Sequence, residues 1–175
     1  MNLERITVEF HAGEDRLLVR VFFNGRAEIQ FWLTRRLLKR IWPVLLQMAQ
    51  AKPDIQVQPN PEARKAMLGM QHEKALQDVK FSKAREEPEA RERPLGNAPM
   101  LVSKVRAGRN QKGQTVLSLL PAEGNGVDLA LGDTLLHGLI KLMQDTAVKA
   151  EWDLTLSVPT LGAVATEEES PRTVN

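Results

Sequence analysis

FNGRAEIQFWLTRRLLKRIWPVLLQMAQ, from Phe23 to Gln50, joins a turn, a strand and an amphipathic helix in one run. Asn24-Gly25 is the strongest hairpin signal in the chain, because both residues tolerate the positive φ of a type I′ turn. Ile29, Phe31 and Leu33 then alternate with Glu28, Gln30 and Trp32, which predicts a strand over Ala27 to Leu33 with one apolar face. Thr34 is the expected N-cap of the helix that follows. In that helix Leu37, Leu38, Ile41, Val44, Leu45 and Met48 share one side, and Arg35, Arg36, Lys39 and Arg40 share the other. Pro43 removes one backbone donor and is expected to bend the helix.

The same pattern recurs 98 positions later. Ile29, Phe31, Leu33, Leu37, Leu38, Ile41, Trp42, Val44, Leu45 and Ala49 fall on Val127, Leu129, Leu131, Leu135, Leu136, Leu139, Ile140, Leu142, Met143 and Ala147, apolar on both sides in every pair. Upstream, Ile6 to Phe10 and Leu17 to Phe23 read as two further strands; Phe10 meets Val105 at an offset of 95, and Val19, Val21 and Phe22 meet Leu117, Leu119 and Leu120 at an offset of 98. Downstream, Asp54-Ile55-Gln56-Val57-Gln58 alternates as a short closing strand and meets Asp153-Leu154-Thr155-Leu156. Self-similarity on this scale indicates an internal repeat.

The expected fold class is therefore α+β, a tandem pseudo-twofold repeat of a β-β-β-α-β unit, with antiparallel sheets each covered by one helix. The first unit spans 1–59 and the second 100–159. Between them, 60–99 holds a helix over Pro61 to Phe81, with a narrow stripe of Ala63, Met67, Met70 and Leu76, and then a charged, proline-rich linker, SKAREEPEARERPLGNAP. The polar tail 160–175 is expected to be disordered. A unit of about 55 residues is near the lower limit for a stable core, so two copies are expected to pack together. In element order alone the repeat resembles the strand-run-then-helix repeats of single-strand-binding proteins such as the Whirly family, which carry four strands before the helix against three here.

Composition narrows the function. With 24 basic and 22 acidic residues the net charge is +2, which gives no chain-wide signature of a nucleic-acid or membrane binder. No cysteine is present, which removes disulfides, thiolate metal sites and thiol catalysis. No stretch approaches the roughly 20 apolar residues of a membrane span, and the chain reads as cytoplasmic, without membrane association.

Catalytic motifs are thin. His11, His72 and His137 have no neighbour at a metal-ligand spacing and read as structural or surface residues. Gly124-Asn125-Gly126 lacks the third glycine of a dinucleotide fingerprint, and Lys112-Gly113-Gln114-Thr115 lacks the glycine loop of a phosphate cradle, so both read as turns. No catalytic residue, cofactor site or metal site is expected, and an enzyme ranks behind the binding functions.

The polar feature with most content is Arg35, Arg36, Lys39 and Arg40. Cations in a first helical turn oppose the helix dipole by a few tenths of a kcal/mol each. Their counterparts Asp133, Thr134, His137 and Gly138 carry no such charge, so the fold does not demand it. They form either a solvated face partnered by acids such as Glu28 or a docking site for an anion. Trp32 points to the sheet face opposite Ile29, Phe31 and Leu33, where it either stacks bases or is buried against the other unit or a second subunit; burial is the expected outcome. Trp42 is expected in the core. The favoured reading is a non-catalytic binding or assembly module that associates with itself as a homo-oligomer. The alternative is a single-stranded nucleic-acid binder using the basic helix face and Trp32.

Overall fold

The computed structural model describes residues 3–24, 27–78, 92–111 and 114–159. The fold is α+β, with one sheet of four strands, one of three, and helices. The first sheet is ordered β1 (Leu3–His11), β2 (Arg16–Phe23), β3 (Glu28–Thr34) and β4 (Met100–Leu101), with β1, β2 and β3 antiparallel and β4 added parallel to β3. Pairing of Val8 with Val19, and of Val19 with Phe31, sets the register that gathers the apolar alternation of all three strands on one face. Of the expected Asn24-Gly25 turn, Gly25 lies outside the described residues, as does Arg26; Phe23 N donates to Ala27 O at 2.9 Å.

Helix α1 (Arg35–Gln50) starts where the hydroxyl of Thr34 accepts from Leu37 N at 3.2 Å. It buries Leu37, Leu38, Ile41, Trp42, Leu45, Met48 and Ala49, so Trp42 is core as expected. After α1 the chain forms a single helical turn, α2 (Pro53–Gln56), and then α3 (Pro61–Asp78). The second sheet is β5 (Lys104–Arg109), β6 (Thr115–Leu120) and β7 (Val127–Ala130), antiparallel throughout, followed by α4 (Asp133–Lys149). Buried side chains from both sheets and all four helices join in one apolar cluster.

Four expectations are corrected. Residues 54–58 are not a strand: Pro53 at the first helical position and Asp54 in the first turn favour a helix start, and only Ile55 is buried while Val57 is exposed. Residues 153–156 are not a strand either. Glu151 and Asp153 take positive φ (53° and 50°), and Leu156 bonds Leu154 O and the Gln144 side chain rather than a neighbouring strand. The stripe on α3 is displaced, with Leu68, Gly69 and His72 buried and Met70 47% exposed. Lastly, the helices do not each cover their own sheet, since α4 packs on β1 and α1 reaches β5 as well as β3. The expected linker falls largely within residues 79–91, and the expected tail within 160–175, both outside the described residues.

Candidate functional site

Arg35, Arg36, Lys39 and Arg40 are all exposed, on the side of α1 turned from the core. Spacings of three and four residues place them as neighbours along about a turn and a half. The first turn of α1 contains no acid, and α1 has no basic residue in its last turn. Helix α4 has the opposite, dipole-favoured arrangement, with Asp133 at its start and Lys149 at its end. None of the four cations makes an ion pair or side-chain hydrogen bond with another described residue.

Glu28, the acid expected to partner them, points elsewhere. It is 1% exposed and accepts from Arg20 Nε at 2.7 Å and Gln30 Nε2 at 2.7 Å, with Arg93 Nε at 3.5 Å from its second oxygen. Burial alone would raise its pKa, but the Gln30 amide and the Arg20 and Arg93 guanidiniums outweigh burial and hold it below the usual carboxylate value.

Trp32 lies in register with Leu18 on β2 and Leu101 on β4, on the sheet face away from α1. It is half-buried, its ring meets His11 edge-on at 5.1 Å, and Leu101 beside it is 41% exposed. The structure therefore does not bring Trp32 and the four cations onto a common face. On the outer face of the second sheet a shallow concavity of about 420 Å³ has a floor of Gly108, Val116 and Ala130 beside the row Arg106, Ser118 and Asp128.

The residues that sequence reasoning missed are His72 and His137. Their Nδ1 atoms are 2.9 Å apart, and the rings are 6% and 1% exposed where α3 meets α4. Desolvation lowers both pKa values, that of His137 to about 4. Each histidine is unremarkable in its own segment, and only the docking of two helices 65 residues apart joins them. Among the described residues no group of three or more His, Asp, Glu or Cys side chains is placed to hold a metal ion, and no helix is long and apolar enough to cross a membrane. The chain matches no family model, no curated protein and no solved structure.

Proposed function

We propose that this protein is a non-catalytic binding module whose α1 face docks a nucleic-acid backbone through Arg35, Arg36, Lys39 and Arg40. The observation that carries this reading is four exposed cations at the dipole-disfavoured end of a helix, with no acid among the described residues to offset them. Phosphates would supply the missing counter-charge. Contact through backbone charge alone is sequence-independent and strongly salt-dependent. An isologous self-interface through the same face would set like charges against one another, so the cations favour a foreign anionic partner.

Self-association is the second reading, and it has its own surface: the row Leu18, Trp32 and Leu101 on the outer face of the first sheet, with Leu101 exposed. The pseudo-twofold repeat of a β-β-β-α unit belongs to this proposal too; it is supported by the apolar matches from Ile29/Val127 to Ala49/Ala147 and by the common order of β1-β2-β3-α1 and β5-β6-β7-α4.

Electrophoretic titration against labelled single-stranded DNA, single-stranded RNA and duplex DNA at two salt concentrations tests the first reading. Replacing the four cations with Gln is expected to abolish most binding, and to reduce the slope of log K against log salt by about 3 if each contacts one phosphate. Binding that survives this replacement with its salt slope intact would overturn it. Sedimentation tests the second, where Trp32→Ala is expected to lower the mass and an unchanged mass argues against that interface.

A further inference from the structure

The hydrogen bond between His72 Nδ1 and His137 Nδ1 has a length, 2.9 Å, that suits one shared proton. Two imidazole nitrogens on one tetrahedral zinc would stand about 3.3 Å apart, given Zn–N bonds near 2.0–2.1 Å. One ring must donate and the other accept, and the surroundings decide which. His137 Nε2 is buried and has no hydrogen-bond partner among the described residues. A bare acceptor is tolerated there better than an orphaned N–H. His137 therefore carries its proton on Nδ1 and donates to His72, while His72, the more exposed ring, holds its own on Nε2.

A first added proton has a place to go. His72 becomes doubly protonated, and its Nδ1–H donates to His137 Nδ1, whose proton moves to Nε2; the shared bond survives, at the cost of an N–H at Nε2 with no partner among the described residues. A second proton has none, because two Nδ1–H groups would then point at each other across 2.9 Å with no acceptor between them. The charged groups around the pair do not resolve this conflict. On α3, Glu73 favours protonation of His72, while Lys141 of α4 opposes it. At His137, Asp133 of α4 favours protonation, but it is ion-paired at 2.6 Å with Lys52, which opposes it from the end of α1.

Few side chains of α3 are fully buried, although Met67 also packs against the core and the helix touches α1, α2 and α4. Its buried residues are Leu68, Gly69 and His72, so one of three buried positions is half of this bond. We propose that the His72–His137 pair is a proton-gated latch: the second proton breaks the shared hydrogen bond and releases α3 from α4, baring the apolar surface around Leu68 while the two sheets stay folded.

Amide hydrogen exchange on the full chain, corrected for intrinsic rates, tests it between pH 7 and pH 4. Amides of α3 are expected to lose protection by about tenfold or more on acidification, while those of β2 and α1 keep theirs. The double variant His72→Leu/His137→Leu, which replaces the shared proton with an apolar contact, is expected to hold α3 at both pH values. Wild-type α3 protection that is unchanged at pH 4 would overturn the latch. So would loss of α3 protection in the double variant over the same window, or simultaneous loss across α3, α1 and β2 in the wild type. Stoichiometric zinc binding at pH 7 that disappears in the double variant would also overturn it, by making the pair a metal site.

Discussion

Trp152 Nε1 donates to Asp15 Oδ1 at 2.7 Å, joining the segment after α4 to the turn between β1 and β2 across 137 residues. Asp15 sits at φ 46°, where a short polar side chain is tolerated better than most, and the Trp152 ring meets Phe10 edge-on at 6.0 Å. Asp15→Ala leaves the indole N–H unpaired at a position 3% exposed and strains the turn, so it is expected to cost about 1–3 kcal/mol. Asp15→Asn keeps both the acceptor and the conformation and is expected to cost under about 1 kcal/mol. Urea denaturation of the two variants checks the order; equal losses would show that neither the turn conformation nor a neutral acceptor, both of which Asn keeps, carries the effect.

Glu28 is expected to contribute to the acid limb of stability through the first sheet. Its folded pKa is lowered, so its contribution is in full above about pH 4.5 and is lost as the pH falls below that value. Glu28→Gln is expected to cost about 1–3 kcal/mol at pH 7, because Arg20 loses a charged acceptor in a half-buried setting. The same change should flatten the part of the acid limb below pH 4.5. A variant as stable as wild type at pH 7 and equally acid-sensitive would contradict this.

For His137 the sign is reversed. Burial lowers its pKa from 6.5 to about 4, with His72 and Lys52 adding to the effect and Asp133 opposing it. The unfolded chain therefore takes up this proton first as the pH falls. The His137 contribution is whole above 6.5, declines between 6.5 and 4, and changes no further below. At roughly 1.4 kcal/mol per pH unit, that window is worth about 3 kcal/mol in total. His137→Leu is expected to reduce the decline in urea unfolding followed by tryptophan fluorescence, leaving the smaller part due to His72, and a variant with the same slope between pH 6.5 and 4 would place the titration elsewhere.

At Gly126, between β6 and β7, an added Cβ would run into the Leu119 carbonyl oxygen and the backbone of Leu120, neither of which can yield without shifting the strand. Gly126→Ala is expected to destabilise by roughly 1–3 kcal/mol through overpacking. Gly13→Ala, where a Cβ meets nothing within 4 Å, is the matched control and should be nearly neutral. Comparable losses in thermal unfolding of the two variants would defeat the steric account.

How much of this was legible in the sequence depended on whether a residue's neighbours were local. Phe31 and Trp32 could be assigned to opposite sheet faces because a strand alternates strictly, and Leu37 to Met48 could be placed inward because a helix face spans many residues. Residues 54–58 were too few for a period to outweigh Pro53 and Asp54. Met70 and Leu68 were confused because α3 buries so narrow a strip that either phase fits its composition. Glu28 lies close in sequence to the cations of α1, but its partners include Arg93, which no local rule brings near. For the same reason His72 could not be matched to His137, nor Trp152 to Asp15.

The crossing of α4 onto β1 has a consequence during synthesis. Thr146 Oγ1 reaches Val8 O at 3.4 Å, over 138 residues, and until that helix leaves the ribosome the inner side of β1 has no cover from it. The first hairpins can form early, since their contacts are local, but they must wait for α4 before their apolar side is sealed. A nascent chain arrested before Asp133 would thus carry a folded-looking β-meander with an open flank, the species on which a chaperone would act.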